Sequence, residues 1–493
     1  MSAISACVGA EMAKDLRAFI KRLEEEYPTE MLRISKPLSL LEHECVAILY
    51  QLEKQRKWPM VIFENVPTGK GEKWAGSVSF LNSGTWVKIG VAMDVPREKV
   101  GSPPAVTEAI VKRGEKPIKY QVVDRDRAPV KEVVITGERV DLFDLPLYRK
   151  DEYDARPGWL CGVGIAKHPE TGRYNLSWHR HHVHGPQRSG VRIQRRHLWD
   201  YLMAYKALGY QEMPVAWVFG HHPAFDIAAA MQPGWDVDEY CFAGGLLGEP
   251  LRVVPSETLG EDFLVPADAE VIVEGYVHVS DREFNGPWTD YMRYYSPQTL
   301  EPAFRPTAIT MRKDPIFEHN WTGHELLSDV WKAASVWMAL KQRYPRVMAV
   351  NFVAPFTFIV QFKPDHPGEA KRLAAYAFGA LGDTVKHIII VDEDVDPFDL
   401  EEVFFAIATV VDPGTNQVQV FRELTANRHD PAAFEYMRTG GLMIDATKPT
   451  DKPFPEIGHP PKEVMERIKL EDYVPRDVVE RLATGKIASW HAL

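Results

Sequence analysis

The sequence predicts a mixed α/β protein built in several parts, and three observations predict it. The chain has 493 residues, more than one hydrophobic core ordinarily serves. Its beginning carries helical periodicity, its middle many short strands between Gly/Pro turns, and its later part an alternation of helices and strands. Hydrophobic residues make up 45% and aromatic residues 11%, with no low-complexity tract, which is the composition of a globular protein.

Leu16, Phe19, Ile20 and Leu23 recur at i, i+3, i+4 and i+7, so an amphipathic helix is expected to run until Pro28 stops it. A second helix is expected from Leu40 to Gln55, then a buried strand from Met60 to Phe63 and a turn from Gly69 to Gly71. These elements predict a small α/β unit over residues 1–125. Within residues 126–320 the expected strands lie at Val133 to Ile135, Gly162 to Ala166, Val215 to Phe219, Val271 to Val279 and Ala308 to Met311. One helix, Leu198 to Leu208, interrupts them, and the spacing predicts a β-barrel or sandwich. Over residues 321–455, helices at Asp329 to Gln342 and Glu369 to Leu381 alternate with strands at Phe358 to Phe362 and His387 to Val391, the rhythm of a layered α/β domain. In the tail, residues 456–493, Val464, Ile468, Val474, Val478 and Val479 suit a helix that contacts a partner subunit.

A formal net charge of -11 disfavours nucleic acid and anionic lipid as partners, because binding phosphates needs concentrated positive charge. Cys7, Cys45, Cys161 and Cys241 are scattered and form no C-x-x-C pair, which suits reduced thiols in a reducing compartment. No basic segment followed by an apolar stretch opens the chain, and no apolar run approaches the ~20 residues that span a bilayer. A soluble, cytoplasmic protein without a membrane partner is expected.

The densest polar cluster is Asn175-Leu-Ser-Trp-His-Arg-His-His-Val-His184, followed by Arg188, Arg192, Arg195, Arg196 and His197. Imidazole ligates metals, and guanidinium holds a carboxylate or phosphate through paired hydrogen bonds. A solvated basic strand and turn explains the same residues. No H-E-x-x-H or zinc-finger spacing is present. If the cluster is a strand, His179 and His181 share a face with Val183, and His182 and His184 share the other with Arg180, where one of that pair would approach a substrate. His324 is a second pocket candidate, and His221 and His222 have no assigned role. Further clusters run from Met231 through Glu239 to Gly245 and from Asp281 to Asp290. Singly, their acidic residues are turn formers. Together, a carboxylate, an amide oxygen and an imidazole suit Mn²⁺ or Mg²⁺.

The order of these motifs resembles the UbiD family, the 3-polyprenyl-4-hydroxybenzoate decarboxylases and their aromatic-acid relatives. The resemblance spans roughly Asp144 to Thr447: Asp144-Leu-Pro, Asn175 with Arg180, His197, Glu239-Tyr-Cys-Phe-Ala-Gly244, Glu274-Gly, Gly286-Pro-Trp, Thr322-Gly, His387 to Asp396, Asp412-Pro and Ile444-Asp-Ala-Thr447. It implies a central split β-barrel of flavin-reductase type carrying metal and flavin phosphate, and a C-terminal α/β domain closing over the flavin. It implies that Asn175, His197 and Glu239 bind a divalent metal, Mn²⁺ or Mg²⁺, which with K⁺ holds the phosphate of prenylated FMN. Ser177, Trp178, His179, Arg180, Ala230, Met231 and Lys448 are implied to contact the cofactor. Ala230 and Met231 read equally as core, and Lys448 as an exposed loop lysine.

Arg180 matches the family arginine beside the substrate carboxylate, whose partners are the two acids of the pattern E-G-P-[FY]-G-[ED]. Here that stretch is Asn285-Gly-Pro-Trp-Thr-Asp290. Asp290 keeps the second acid and takes the role of general acid, a role expected to need a buried carboxyl with a raised pKa. Asn285 replaces the first acid and cannot transfer a proton, Glu283 is a candidate partial substitute, and Trp288 replaces a Phe or Tyr. Val410 stands where relatives commonly carry an arginine. The implied activity is reversible decarboxylation of an aromatic, heteroaromatic or α,β-unsaturated acid. The implied partners are a flavin prenyltransferase as cofactor supplier and further copies of the chain, as a homodimer or homohexamer. The rival readings are a metal-dependent hydrolase using the His-rich strand without flavin, and a flavin-binding subunit without turnover.

Overall fold

The computed structural model describes residues 14–482 apart from 232, 434–436, 456, 457 and 459, so Cys7 lies outside the described residues. The chain divides into two compact units, one of Met1–Ser335 with His429–Pro431 and one of Val336–Arg428 with Ala432–Leu493.

The first unit opens with helix Leu16–Glu26, capped by Asp15, whose side chain accepts from the Ala18 N–H. Leu16, Phe19, Ile20 and Leu23 are its buried face, as the periodicity predicts. The next helix, Glu44–Lys54, starts later than the expected Leu40, because His43 at its N-cap sits in the left-handed region at φ 63°. Strand Met60–Phe63 is fully buried and pairs with Met31–Ile34 on one side and Ser77–Phe80 on the other. A fourth strand, Ile316–Glu318, joins this sheet from far along the chain. That long-range pairing has no local signal in the sequence.

The centre of the first unit is a ring of hydrogen-bonded strands. Val271–Asn285 pairs with Glu212–Phe219, which pairs with Gly158–Lys167, then Tyr174–Gly185, Arg188–Val191 and Thr299–Met311; the last pairs back with Val271–Asn285. All of these pairings are antiparallel, and Val133–Thr136 adds to the free part of Thr299–Met311. Side chains from strands that are not neighbours meet inside. His181 lies 4.2 Å from the Trp217 ring and 5.5 Å from that of Phe304, and Trp217 and Phe304 are 5.7 Å apart. Room for Trp217 and Phe219 comes from Gly162 and Gly164 on the facing strand. A Cβ at Gly164 would fall 2.3 Å from the Trp217 ring, and one at Gly162 2.7 Å from that of Phe219. One continuous core runs from Leu40 through Trp159, Trp217 and Trp288 to Trp321.

The second unit holds a five-stranded sheet in the order Val347–Ala354, Thr357–Phe362, His387–Val391, Arg438–Ala446, Val418–Thr425. Its three middle strands run parallel, and helices Glu369–Leu381 and Leu400–Val410 accompany them. Near the C-terminus, the short helices Lys462–Arg467 and Arg476–Arg481 leave Met465, Ile468, Leu470 and Tyr473 exposed. Among the described residues no helix is long and apolar enough to cross a membrane.

The close approach at Gly164 gives a test of the ring. Gly164→Val should overpack the interior against Trp217 and lower stability by ~1–3 kcal/mol, read as a fall in the urea midpoint, whereas Gly185→Ala, where an added Cβ meets nothing within 4 Å, should cost less than half as much.

Candidate active site

Two polar clusters lie on the strand Tyr174–Gly185 and the elements packed against it. The first centres on Glu239, in the first turn of helix Glu239–Leu247. Asp238 caps that helix by accepting from the Tyr240 and Cys241 N–H groups, and the turn it sets leaves Glu239 only 3% exposed. One carboxylate oxygen of Glu239, Oε2, accepts from the Leu176 N–H at 2.6 Å. The other, Oε1, accepts from Asn175 Nδ2 at 2.9 Å and His197 Nδ1 at 3.0 Å. Ser177 Oγ donates to Asn175 Oδ1 at 3.1 Å and lies 2.7 Å from His179 Nε2. The exposed Trp235 ring covers the His197 imidazole at 3.9 Å. Burial pushes the Glu239 carboxyl pKa up, even against the hydrogen bonds from His197, Leu176 and Asn175. A buried carboxylate, an imidazole and an amide converging in this way are a donor set that fits a hard-to-borderline divalent cation.

The second cluster centres on Arg180. Its Nη1 donates to Asp290 Oδ2 at 2.7 Å and its Nε to Asn285 Oδ1 at 3.2 Å. Asn285 is oriented by its own amide, which donates to the Gly190 carbonyl at 2.8 Å. Arg180 Nη2 is buried with no hydrogen-bond partner among the described residues. The Trp288 ring lies 6.0 Å from the guanidinium carbon and 5.0 Å from Lys150 Nζ, and Lys150 donates to the carbonyls of Thr289 at 2.7 Å and Thr322 at 3.0 Å. Asp290 also accepts from the Tyr291 N–H at 2.9 Å, and His429 Nδ1 sits 2.7 Å from its Oδ2. Burial pushes the Asp290 carboxyl up, but His429, Arg180 and Arg192 together hold it well below the usual carboxylate range. The expectation of a raised pKa is therefore corrected, because three cationic or proton-bearing neighbours outweigh the desolvation.

Alternation along an unbroken register places Asn175, Ser177 and His179 on one face of the strand and Arg180 on the other. The segment Arg192–His197 links the clusters. The Arg192 N–H donates to the Arg180 carbonyl at 3.2 Å, the Arg192 carbonyl lies 2.9 Å from His179 Nδ1, the Gln194 amide meets His429, and His197 meets Glu239.

The chain matches the 3-octaprenyl-4-hydroxybenzoate carboxy-lyase Rift-related domain over residues 121–325 and the C-terminal domain of the same carboxy-lyase over residues 325–446. It belongs to the UbiD family. A phenolic acid decarboxylase from Sedimentibacter hydroxybenzoicus is 29% identical over 458 residues, which cover 89% of this chain and 92% of that protein. Among solved structures, the UbiD-class enzyme HmfF from Pelotomaculum thermopropionicum, in complex with FMN, superposes with a TM-score of 0.80 at 31% identity, covering 93% of this chain and 100% of that one. The closed form of the S. hydroxybenzoicus vanillic acid decarboxylase gives a TM-score of 0.81 at 28% identity, over 93% of this chain and 98% of that one.

Within this UbiD fold the structure brings together Asn175, Ser177, His197 and Glu239, and separately Arg180, Asn285 and Asp290. Trp178 Nε1 donates to the Asp226 carbonyl at 3.0 Å, the helix that also carries Ala230 and, at its end, the buried Met231. Lys448 belongs to the second unit, where its ammonium pairs with Asp394 and its N–H donates to Asp392 at 2.7 Å. Glu283 is held by Arg188 at 2.5 Å, away from the role of substitute acid.

The histidines of the strand each have partners in the structure. His179 and His181 sit inside the ring, where burial lowers both pKa values, His179 to about 4. His182 stacks on Trp159 and donates to the Arg156 carbonyl at 2.7 Å, and His184 donates to the Phe284 carbonyl at 2.6 Å. His324 stacks on Trp321 at 3.9 Å and contacts Glu53 at 3.1 Å. Among the described residues no three His, Cys, Asp or Glu side chains form a group that could hold a metal ion, so the amide of Asn175 is needed to complete the donor set around Glu239 and His197. His429 was not foreseen from the sequence. It stands in a polar run, Asn427-Arg-His-Asp430, whose burial was the missing signal.

Removing Asp290 would leave the Arg180 guanidinium buried without its carboxylate. Asp290→Ala should therefore cost ~3–5 kcal/mol at pH 7, while Arg188→Ala, whose pair with Asp281 and Glu283 is about one third exposed, should cost under ~1 kcal/mol, both read by urea unfolding. The Asp290 pKa is depressed in the folded state, so its contribution is complete above the unfolded value of about 3.9 and disappears as pH falls towards the folded value. The difference between wild type and Asp290→Ala should accordingly narrow below about pH 4.

Proposed function

We propose that this UbiD-family chain is a decarboxylase of an aromatic or heteroaromatic carboxylic acid that works with prenylated FMN. The observation that carries the reading is the buried guanidinium of Arg180, oriented by Asp290 and Asn285 and offering its Nη2 donors to a substrate carboxylate. The names of the relatives support the chemistry, since one is a phenolic acid decarboxylase, another a vanillic acid decarboxylase, and an HmfF structure contains prenylated FMN. On this reading the closed ring of strands is a split barrel of flavin-reductase type spanning about residues 126–320.

Asn175, His197 and Glu239 would hold Mn²⁺ or Mg²⁺, with K⁺ nearby, and the metal would neutralise a phosphate that Glu239 would otherwise repel. Bound prenylated FMN would supply an electron sink for the breaking carbon–carbon bond. Arg180 holds the substrate carboxylate, and Asn285 and Trp288 fix the plane and position of that guanidinium. Trp288, 1% exposed, is packed against Trp159 and Tyr148 and braces the Arg180 guanidinium from the core side. Asp290 delivers the proton to the carbon that carbon dioxide leaves. A flavin prenyltransferase would supply the cofactor, and the exposed apolar residues of the C-terminal segment are suited to contact another copy of the chain in a homodimer or homohexamer.

Protein produced together with a flavin prenyltransferase and kept anaerobic should carry prenylated FMN and Mn²⁺ or Mg²⁺ near one per chain by mass spectrometry and metal analysis. It should then release carbon dioxide from a phenolic or other aromatic acid. Asp290→Asn should keep the cofactor and lose at least ~100-fold in turnover. Glu239→Ala should lose metal and flavin together; stoichiometric flavin in that variant would contradict the metal assignment. Cofactor binding without turnover on a broad panel of acids would instead favour a non-catalytic subunit.

A further inference from the structure

Asp290 carries the proton in the reading above, yet the groups around it hold it ionised, so something must reload it. Its oxygens face Arg180 at 2.7 Å and His429 at 2.7 Å, and Arg192, Lys332 and Lys150 act on it through charge. Arginine does not release a proton in proteins. Asn285, beside the other side of Arg180, has none to transfer. Of the groups in contact with Asp290 among the described residues, the His429 imidazole is the one able to take up and release a proton, with burial drawing its pKa below the ordinary value against the pull of Asp290.

The imidazole is also placed for both of its states. It is 5% exposed, with the Tyr291 ring edge-on at 5.2 Å and the Gln194 side-chain amide against Nε2. An amide can turn either end to its neighbour, so Gln194 can accept from an Nε2–H or donate to a bare Nε2. In either arrangement Nδ1 remains directed at Asp290 Oδ2. The charged groups that face the imidazole are Asp290, Arg192 and Arg180.

We propose that His429 is the positioning residue that reloads Asp290 with its proton, supplying the titratable partner that Asn285 does not provide. This rests on the reading of Asp290 as the group that protonates the product carbon. Asp290 Oδ2 gives its proton to that carbon and becomes a carboxylate. The imidazolium of His429 then passes its Nδ1 proton to Oδ2 and is left neutral with Nε2–H on the Gln194 carbonyl, and solvent restores the proton. The sum is substrate carboxylate plus one proton giving carbon dioxide and the protonated product, with no change in electron count.

The first test does not depend on turnover. In full-length protein labelled with ¹⁵N-histidine, the His429 imidazole signal is the one missing from both His429→Gln and His429→Asn. Its titration midpoint should fall by one pH unit or more in Asp290→Asn, and an unmoved midpoint would overturn the coupling. In flavin-loaded protein, His429→Gln should lower kcat at least tenfold with KM within twofold, and should abolish the limb of the kcat–pH profile that the wild type shows. Loss of kcat with that limb unchanged would overturn the reloading role. A wild type that turns over no acid, with the ¹⁵N coupling intact, would count against the decarboxylase reading and leave the His429–Asp290 pairing standing.

Discussion

The strand Tyr174–Gly185 is paired along one edge from Tyr174 to Val183 and along the other from His181 to Gly185, and the polar groups of the first unit are arranged around that largely buried strand. A strand with a two-residue period has two faces and no solvent-facing side on which to leave a polar group. Each polar side chain on it therefore needs a partner from another element. Asn175 finds Glu239, Ser177 and His179 find each other, and Arg180 finds Asp290 and Asn285. Gly162 and Gly164 on the neighbouring strand make room for the Trp217 and Phe219 rings that fill the interior.

The two clusters differ in how their charge is balanced. Arg180 and Asp290 neutralise each other at 2.7 Å, and breaking such a pair in a buried setting leaves an uncompensated charge. Glu239 has only dipoles and a histidine beside it, and burial raises its pKa. A buried carboxylate held by hydrogen-bond donors and an imidazole, without a fixed cation of its own, is one that gains from binding a cation. Arg192, Gln194 and His197 connect the two, so a displacement in that segment reaches the carboxylate of each cluster.

Much of this was legible in the sequence, for reasons that can be named. Helix Leu16–Glu26 and strand Met60–Phe63 follow from local periodicity and from Pro28, and Glu369–Leu381 and His387–Val391 agree with their expected limits. The motif order identified the family and pointed to Asn175, His197 and Glu239 and to Arg180, Asn285 and Asp290, two sets that the structure groups by hydrogen bonds. Pairings between distant segments were not legible: Ile316–Glu318 completes a sheet begun at Met31, and His429 reaches Asp290 from beyond most of the second unit's sequence. Nor was the charge state of Asp290, because a pKa is set by neighbours in space. The histidines of the central strand read as ligand candidates by composition alone, and the structure gives His179, His182 and His184 a hydrogen bond to a backbone carbonyl and His181 one to Ser189.

Asn175, His197 and Glu239 converge by hydrogen bonds, and the central proposal is that they hold a divalent cation. Anomalous diffraction from crystals of the protein grown with Mn²⁺ tests it most directly. The account predicts a manganese peak about 2.0–2.3 Å from the Asn175 amide oxygen, an imidazole nitrogen of His197 and a carboxylate oxygen of Glu239. Ordered Glu239 and His197 side chains in contact with each other, with no peak between them and manganese bound elsewhere, would contradict it.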